Sequence, residues 1–347
     1  MKNAVRKSFI TLAVTVLVFS LGAAAWASGK KVTWADQKIN DNPKKIQFAV
    51  IGDRTGQERP GVFKQAMQKL NLMKPDFVVC VGDVIQGQTQ DVNVMTKQWD
   101  EFDTLKSKLS VPFFLASGNH DIANKAMSKF YQQRYGNPYY HIIYKDILFL
   151  FINTNDPSAE ISDDVPQEVK DKLSQDYKTM KRRIKKEGHT PEVMEFIDKV
   201  EKEQRKYNGA KMTDAQGDYF EKVLKDHKDV RWTFVVMHNR IWQQENKPAA
   251  WLRLERLLAD RPYTVFGGHL HFHEQVVIKG KSYIGMGTVG GGWNWPLTKP
   301  GVYDHILWVT VEDGQPSIAN LILGGIRDNT DIRPPVEEKA VTPIKAK

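Results

Sequence analysis

The sequence predicts an α/β fold on three observations. Short apolar runs rich in β-formers recur along the body, amphipathic helical stretches fall between them, and polar loops, most of them carrying glycine, follow strand after strand. Ile46–Ile51 opens the body as a buried strand, and Val62, Phe63, Ala66, Met67 and Leu70 then fall on one face of a helix. Phe77–Val81 reads as a strand, Val92–Leu109 as a helix, Val111–Ala116 as a strand and Asp121–Arg134 as a helix. Strands at Ile147–Ile152 and Trp232–Met237 flank a helix at Asp214–Asp226. A helix at Pro248–Ala259 precedes strands at Tyr263–Phe266, Lys281–Met286, His305–Val311 and Ile318–Leu323. No internal repeat is present.

Composition bounds the chemistry. The chain has 347 residues, 41% of them hydrophobic and 26% charged, which is enough apolar surface for a sizeable core and excludes a wholly disordered chain. A single cysteine, Cys80, forms no intramolecular disulfide and no cysteine-based zinc site. Any metal chemistry must therefore rest on His, Asp, Asn or Glu. Fifty Lys and Arg against 41 Asp and Glu leave a modest positive surplus that suits anionic substrates. There is no localised basic stripe, so nucleic-acid binding is not expected beyond a possible substrate.

The ends and one internal stretch stand apart from this body. Lys2, Arg6 and Lys7, an apolar run from Phe9 to Ala25, and Ala25-Trp26-Ala27 give residues 1–27 the layout of a signal peptide, with a periplasmic or secreted product. Left uncleaved, the same run is a membrane anchor. The body spans 44–325, with a charged helical insertion at about 157–211 lying over the core. The basic run from Met180 to Lys186 in it is either a solvated helix face or a polyanion contact. Residues 326–347 read as a disordered tail.

The chemistry is expected where strands end. Gly52-Asp53, Gly82-Asp83, Gly118-Asn119-His120-Asp121, His238-Asn239 and Gly268-His269-Leu270-His271 each follow a strand. In open α/β sheets ligands bind at these carboxyl ends, so five loops can deliver side chains to one crevice. Carboxylate, amide oxygen and neutral imidazole suit hard and borderline divalent metals. Singly each motif is weak; jointly, in this order, they make a purely structural role improbable. The Gly290–Pro296 segment carries Trp293 and Trp295 and forms either a pocket wall or a loop pinned by its own aromatics. His273 lies farther along than His269 and His271 and is left out of the site. His141, His189, His227 and His305 have no motif context.

On the Gly-Asn-His-Asp and Gly-His-Leu-His motifs, the chain resembles the calcineurin-like metallophosphoesterase superfamily over roughly residues 44–325. The resemblance implies a two-sheet sandwich flanked by helices in four layers, αββα, with a two-metal site, and the His/Asp/Asn mixture suits Mn, Fe or Zn there. It implies that Asp83 bridges both metals, that Asn119, His238 and His269 complete one position, and that Asp53 and His271 serve the other. His120 then assists the leaving group, and Asp121 orients His120. The implied activity is hydrolysis of a phosphorylated small molecule or other phosphoester by a metal-bound water.

One motif departs from the family. Where Asp-x-His is usual, this chain reads Asp53-Arg54-Thr55. A hydroxyl is a poor replacement for imidazole, so the Asp53/His271 position is expected to be the weaker one, unless Gln57 or a backbone carbonyl of the loop substitutes. Arg54 and Arg240 are candidate substrate contacts, Arg54 alternatively pairing with a carboxylate. No Gly-x-Ser-x-Gly elbow or Walker-type loop is present, which disfavours a serine hydrolase or an NTP-driven motor. The contrasting reading is a non-catalytic phosphoryl-binding or scaffold protein with a degenerate metal site.

Overall fold

Most of the strand runs lack a polar alternation because both faces of each sheet are covered. In the computed structural model, which describes residues 42–158, 166–207, 209–293, 295–312 and 314–326, these runs form two mixed sheets. The first has the order β11 (Ser317–Ile322), β10 (His305–Val311), β1 (Ile46–Ile51), β2 (Phe77–Cys80), β3 (Phe113–Leu115). Its β1, β2 and β3 run parallel, and β10 is antiparallel to both β1 and β11. The second has the order β4 (Tyr140–Tyr144), β5 (Ile147–Phe151), β6 (Trp232–Val236), β7 (Tyr263–Gly267), β9 (Lys281–Gly285), β8 (Glu274–Ile278). Four parallel strands form its centre, and β4 and β8 are antiparallel edges.

Side chains two apart on a strand share a face, and this sorts the core into layers. Phe48 and Val50 of β1, Phe149 and Phe151 of β5, Phe234 and Val236 of β6, and Phe266 of β7 meet between the sheets. Phe149, Phe234 and Phe266 stack with centroids 5.2 and 5.7 Å apart, and the Phe48 ring packs edge-on against the first two. The odd-numbered partners on β1, Ala49 and Ile51, face α1 (Val62–Met73), α2 (Val92–Lys106) and α3 (Lys125–Tyr135) instead. On the second sheet Leu148, Leu150 and Ile152 face α6 (Asp214–Asp226) and α7 (Ala249–Leu258). Helix, sheet, sheet and helix follow in that order, the four-layer α/β architecture expected from the resemblance.

Boundaries differ where side chains intervene. The helix expected from Asp121 begins at Lys125, because Asn124 caps it by accepting the Met127 N–H while Asp121 is turned inward. The edge strands β4 and β8 were not anticipated. Both are partly exposed, and neither is a continuous buried run.

The charged stretch supplies α4 (Gln167–Glu187) and α5 (Pro191–Tyr207). Their apolar positions Met180, Val193, Ile197 and Val200 form a separate cluster with Trp295 and Val302, joined by Phe272 and Trp293. No helix of the described residues is long and apolar enough to cross a membrane. The expected signal peptide at 1–27, residues 159–165 and 208 of the insertion, and 327–347 of the tail lie outside the described residues.

Candidate metal centre

The strand-end loops converge as the sheets require. Asp53 follows β1, Asp83 follows β2 and Asn119 follows β3 in the first sheet; His238 follows β6, and His269 and His271 follow β7 in the second. Asp53, Asp83, His269 and His271 all have left-handed backbone, with φ of 56°, 58°, 74° and 57°. Such φ costs a non-glycine residue about 1–3 kcal/mol and persists only where the surroundings enforce it. The glycine before Asn119 is required for a different reason: a Cβ on Gly118 would lie 2.1 Å from Asp83 Oδ1.

Two groups of ligand atoms result. Asp83, His238 and His269 form one; Asp53, Asp83 and His271 form the other, and in each the atoms lie within 4.8 Å of one another. Asn119 joins the first, its Oδ1 standing 3.1 Å from His238 Nε2 and 2.9 Å from His269 Nδ1. Asp83 is common to both groups. Its Oδ2 lies 3.1 Å from His238 Nε2, and its Oδ1 accepts the His120 backbone N–H at 2.9 Å.

Backbone carbonyls set the rings. His238 Nδ1–H donates to the Val81 carbonyl at 2.8 Å and His271 Nδ1–H to the Gly292 carbonyl at 2.5 Å. Each bond leaves Nε2 facing the carboxylates, which is how outer partners prepare imidazole for a cation. Burial lowers His269, with the His238 charge adding to it, to about 3, so that ring is neutral. Burial also works against a charged His238, but the Asp83 charge and hydrogen bond outweigh it and lift His238 to about 9. Desolvation pulls Asp83 upward, yet His238 and then His120 hold it well below the carboxylate range. Burial lowers His271 and its hydrogen bond with Asp53 raises it, with a net rise.

The residues fit a pair of divalent cations. Asp53 Oδ2 is buried and has no hydrogen-bond partner, an arrangement that costs free energy unless a ligand completes it. The donor set of carboxylate, amide oxygen and imidazole is the one borderline divalent metals take.

Three expectations need correction. Asp121 does not orient His120. Its carboxylate accepts the backbone N–H groups of Asp83, Gly118, Val84 and Ile85 at 2.8–3.3 Å, fixing the Asp83 loop, while His120 Nδ1 is held by the Gln86 carbonyl at 2.7 Å. Burial and the Asp83 charge push Asp121 up to about 6. Arg54 is not placed for substrate: it is buried, pairs with Glu58 and Glu101 and donates to the Val84 carbonyl. Arg240 is likewise enclosed, bonded to Glu274 and to the carbonyls of Gly268, Phe272 and Met286.

Thr55 is no ligand either. Its hydroxyl donates to the Ile85 carbonyl at 2.7 Å, so among the described residues the Asp53/His271 position has three candidate protein ligands, Asp53, Asp83 and His271. His273 is anchored to the Gly285 carbonyl and packs against His305. The carbonyls of Val81, Gln86 and Gly292 were not foreseen, since any residue type supplies one. Trp295 and Trp293 pack under α4 and α5, so the Gly290–Pro296 segment is pinned by aromatics.

A sequence-family model described as calcineurin-like phosphoesterase matches residues 46–273. Among solved structures, the chain is similar to a dimetal phosphatase from Danio rerio at TM-score 0.52 and 13% identity, covering 80% of this chain and 96% of that one. It is also similar to GAP50, the anchor in the inner membrane complex of Plasmodium, at TM-score 0.49 and 15% identity, covering 82% and 86%. A third likeness, to a putative 5'-nucleotidase from Staphylococcus aureus, has TM-score 0.45 and 13% identity and covers 82% and 55%. Identities this low speak to fold alone. No curated protein shows significant similarity to the chain.

Proposed function

The chain belongs to the calcineurin-like phosphoesterase family, and from that premise we propose that it hydrolyses phosphate esters with water as nucleophile at a two-cation centre. The observation that carries this reading is the pair of ligand groups sharing Asp83. Asp83, Asn119, His238 and His269 would hold one cation, and Asp53, Asp83 and His271 the other. When bound, such a pair lowers the pKa of water and neutralises charge on the phosphoryl oxygens.

The chain's own residues do the rest. His120 makes two fixed contacts: its N–H on Asp83 Oδ1 and its Nδ1–H on the Gln86 carbonyl. Only Nε2 is left to meet substrate. A Cβ on Gly56 would stand 3.7 Å from that Nε2 and 2.9 Å from His271 Cε1, so the imidazole reaches the neighbourhood of the Asp53/His271 position. His120 in its protonated form gives a proton to the departing oxygen, which general acid catalysis requires. Asp121 acts through the backbone, holding the Asp83 turn.

The substrate class is a phosphorylated small molecule or another phosphoester, and a nucleic-acid role beyond that is not proposed. Export to the periplasm or medium is proposed on the character of residues 1–27 alone. A scaffold that binds phosphoryl groups without turnover is the second reading, favoured by one observation: the Thr55 hydroxyl bonds to a backbone carbonyl where the family has a ligand.

Purified protein supplied with Mn2+ or Zn2+ should hydrolyse a chromogenic monoester or diester, and Asp83→Asn should remove bound metal and turnover together. Metal binding without turnover of either ester would favour the scaffold. Unchanged metal content in Asp83→Asn would end the two-cation reading.

A further inference from the structure

We propose that Arg59 is the positioning residue for the Asp53/His271 cation position, acting through the Gly290–Trp293 loop. The proposal rests on the two-cation reading above.

Arg59 lies six residues beyond Asp53 and grips that loop from the side. Its guanidinium pairs with both oxygens of Asp304 at 2.7 and 2.5 Å, and donates to Thr288 Oγ1 and to the Gly291 carbonyl, each at 3.0 Å. The same group stands 3.8 Å over the Trp293 ring, and the Arg59 backbone N–H donates to the Gly290 carbonyl at 2.6 Å. A planar fork can satisfy two carboxylate oxygens, a carbonyl and an aromatic face at once; an ammonium cannot.

The loop then transmits that grip to the site. Val289, Gly291 and Gly292 donate their N–H groups to the carbonyls of Gly52, Asp53 and Gly56 at 2.8–2.9 Å, running alongside the Asp53 turn. The Gly292 carbonyl accepts His271 Nδ1–H and so fixes which nitrogen faces Asp53. There is no slack in this arrangement. A Cβ on Gly291 would lie 2.6 Å from the Thr55 carbonyl and 2.8 Å from His271 Cε1, so displacement of the loop becomes displacement of the ring. With Thr55 turned to Ile85, His271 is the one imidazole of this position, and its orientation decides the affinity. Apart from the shared Asp83, the other position draws on Asn119, His238 and His269, whose side chains bond to Asp83, to one another and to the Val81 carbonyl rather than to this loop.

Calorimetric titration of metal-free protein with Mn2+ separates the two positions. Wild type should show two binding events. Arg59→Met should weaken one of them by about tenfold, the lower end of what outer-shell partners contribute, and leave the other unchanged. Arg59→Lys should fall between. Arg134→Met, which breaks a comparable pairing with Asp100 and Asp103, should change neither event. A measurement that needs no metal accompanies this: in Arg59→Met the Gly291 and Gly292 amides should exchange faster, and, at a pH high enough to leave the His271 ring neutral, its 15N spectrum should lose the single Nδ1–H tautomer. Two events that weaken equally, or remain unaltered, in Arg59→Met overturn the assignment of Arg59 while the two-cation reading stands. A wild-type chain that binds no metal overturns both.

Discussion

His120 differs from every other imidazole of the centre in that its free nitrogen belongs to neither ligand group. His120→Ala should therefore retain its metal and lose about 10²–10⁴-fold in rate, with a smaller deficit for esters whose leaving group is already acidic. Equal losses on good and poor leaving groups, read from a series of substituted phenyl esters, would exclude the role. Thr55 sets a second residue-scale outcome. Because its hydroxyl is bonded to the Ile85 carbonyl, exhaustive dialysis should leave nearer one tightly held ion per chain than two, counted by elemental analysis. Retention of two would show that another group completes the Asp53/His271 position. The side chains that converge at the candidate centre were legible in the sequence, because carboxylate, amide and imidazole recurring at strand ends, with glycine directly before Asp53, Asp83, Asn119 and His269, is a rare combination. Arg54 and Arg240 misled for a physical reason: a guanidinium near a site is as readily neutralised by Glu58 and Glu101, or by Glu274, as by a ligand. The Arg59–Asp304 pair, separated by 245 residues, left no local trace.

Burial made most of the strands legible, although the exposed edge strand β11 was legible as well. The parallel strands β1, β2, β5, β6 and β7 are covered on both faces and so appear as continuous apolar runs. The edge strands β4 and β8 are partly solvated, and their composition matches that of many loops. The α4–α5 hairpin illustrates the opposite difficulty. Its charge is a solvated surface, with Lys172–Asp176 and Arg183–Glu187 pairs one turn apart, while a few apolar residues carry its docking onto Trp295 and Phe272. That cluster is separate from the three core clusters of the four-layer sandwich, so it should open separately. Ile197 is wholly buried in it, and Ile197→Ala should lower protection of the α5 amides by about 2–5 kcal/mol in native-state hydrogen exchange. Amides of β6 should keep theirs. Equal loss in both would mean that hairpin and sandwich unfold as one unit.

At the scale of the molecule, stability is coupled to acid through His305. Its Nε2 accepts the Gly287 N–H at 2.7 Å, so Nδ1 carries the proton and donates to Asn320 Oδ1. Burial, reinforced by His273, lowers its pKa from 6.5 to about 3. Between those values the unfolded chain binds a proton that the folded chain refuses, so stability must fall as pH drops from about 6.5 toward 3. One such group contributes a slope of about 1.4 kcal/mol per pH unit, and urea unfolding of His305→Gln should show a slope shallower by about that amount over this range. An unaltered slope would mean the ring already titrates normally. Asp53, Asp83 and Asn119 follow strands of one sheet and His238, His269 and His271 follow strands of the other, so the candidate ligands straddle the seam of the sandwich. Any cation seated there is a rivet between two halves that otherwise meet mainly through phenylalanine and aliphatic side chains. Bound ions at a hundredfold excess over Kd would add about 2.7 kcal/mol each to the folded state. A chelator should then lower the melting temperature without touching a single covalent bond, and each added equivalent of metal should raise it again.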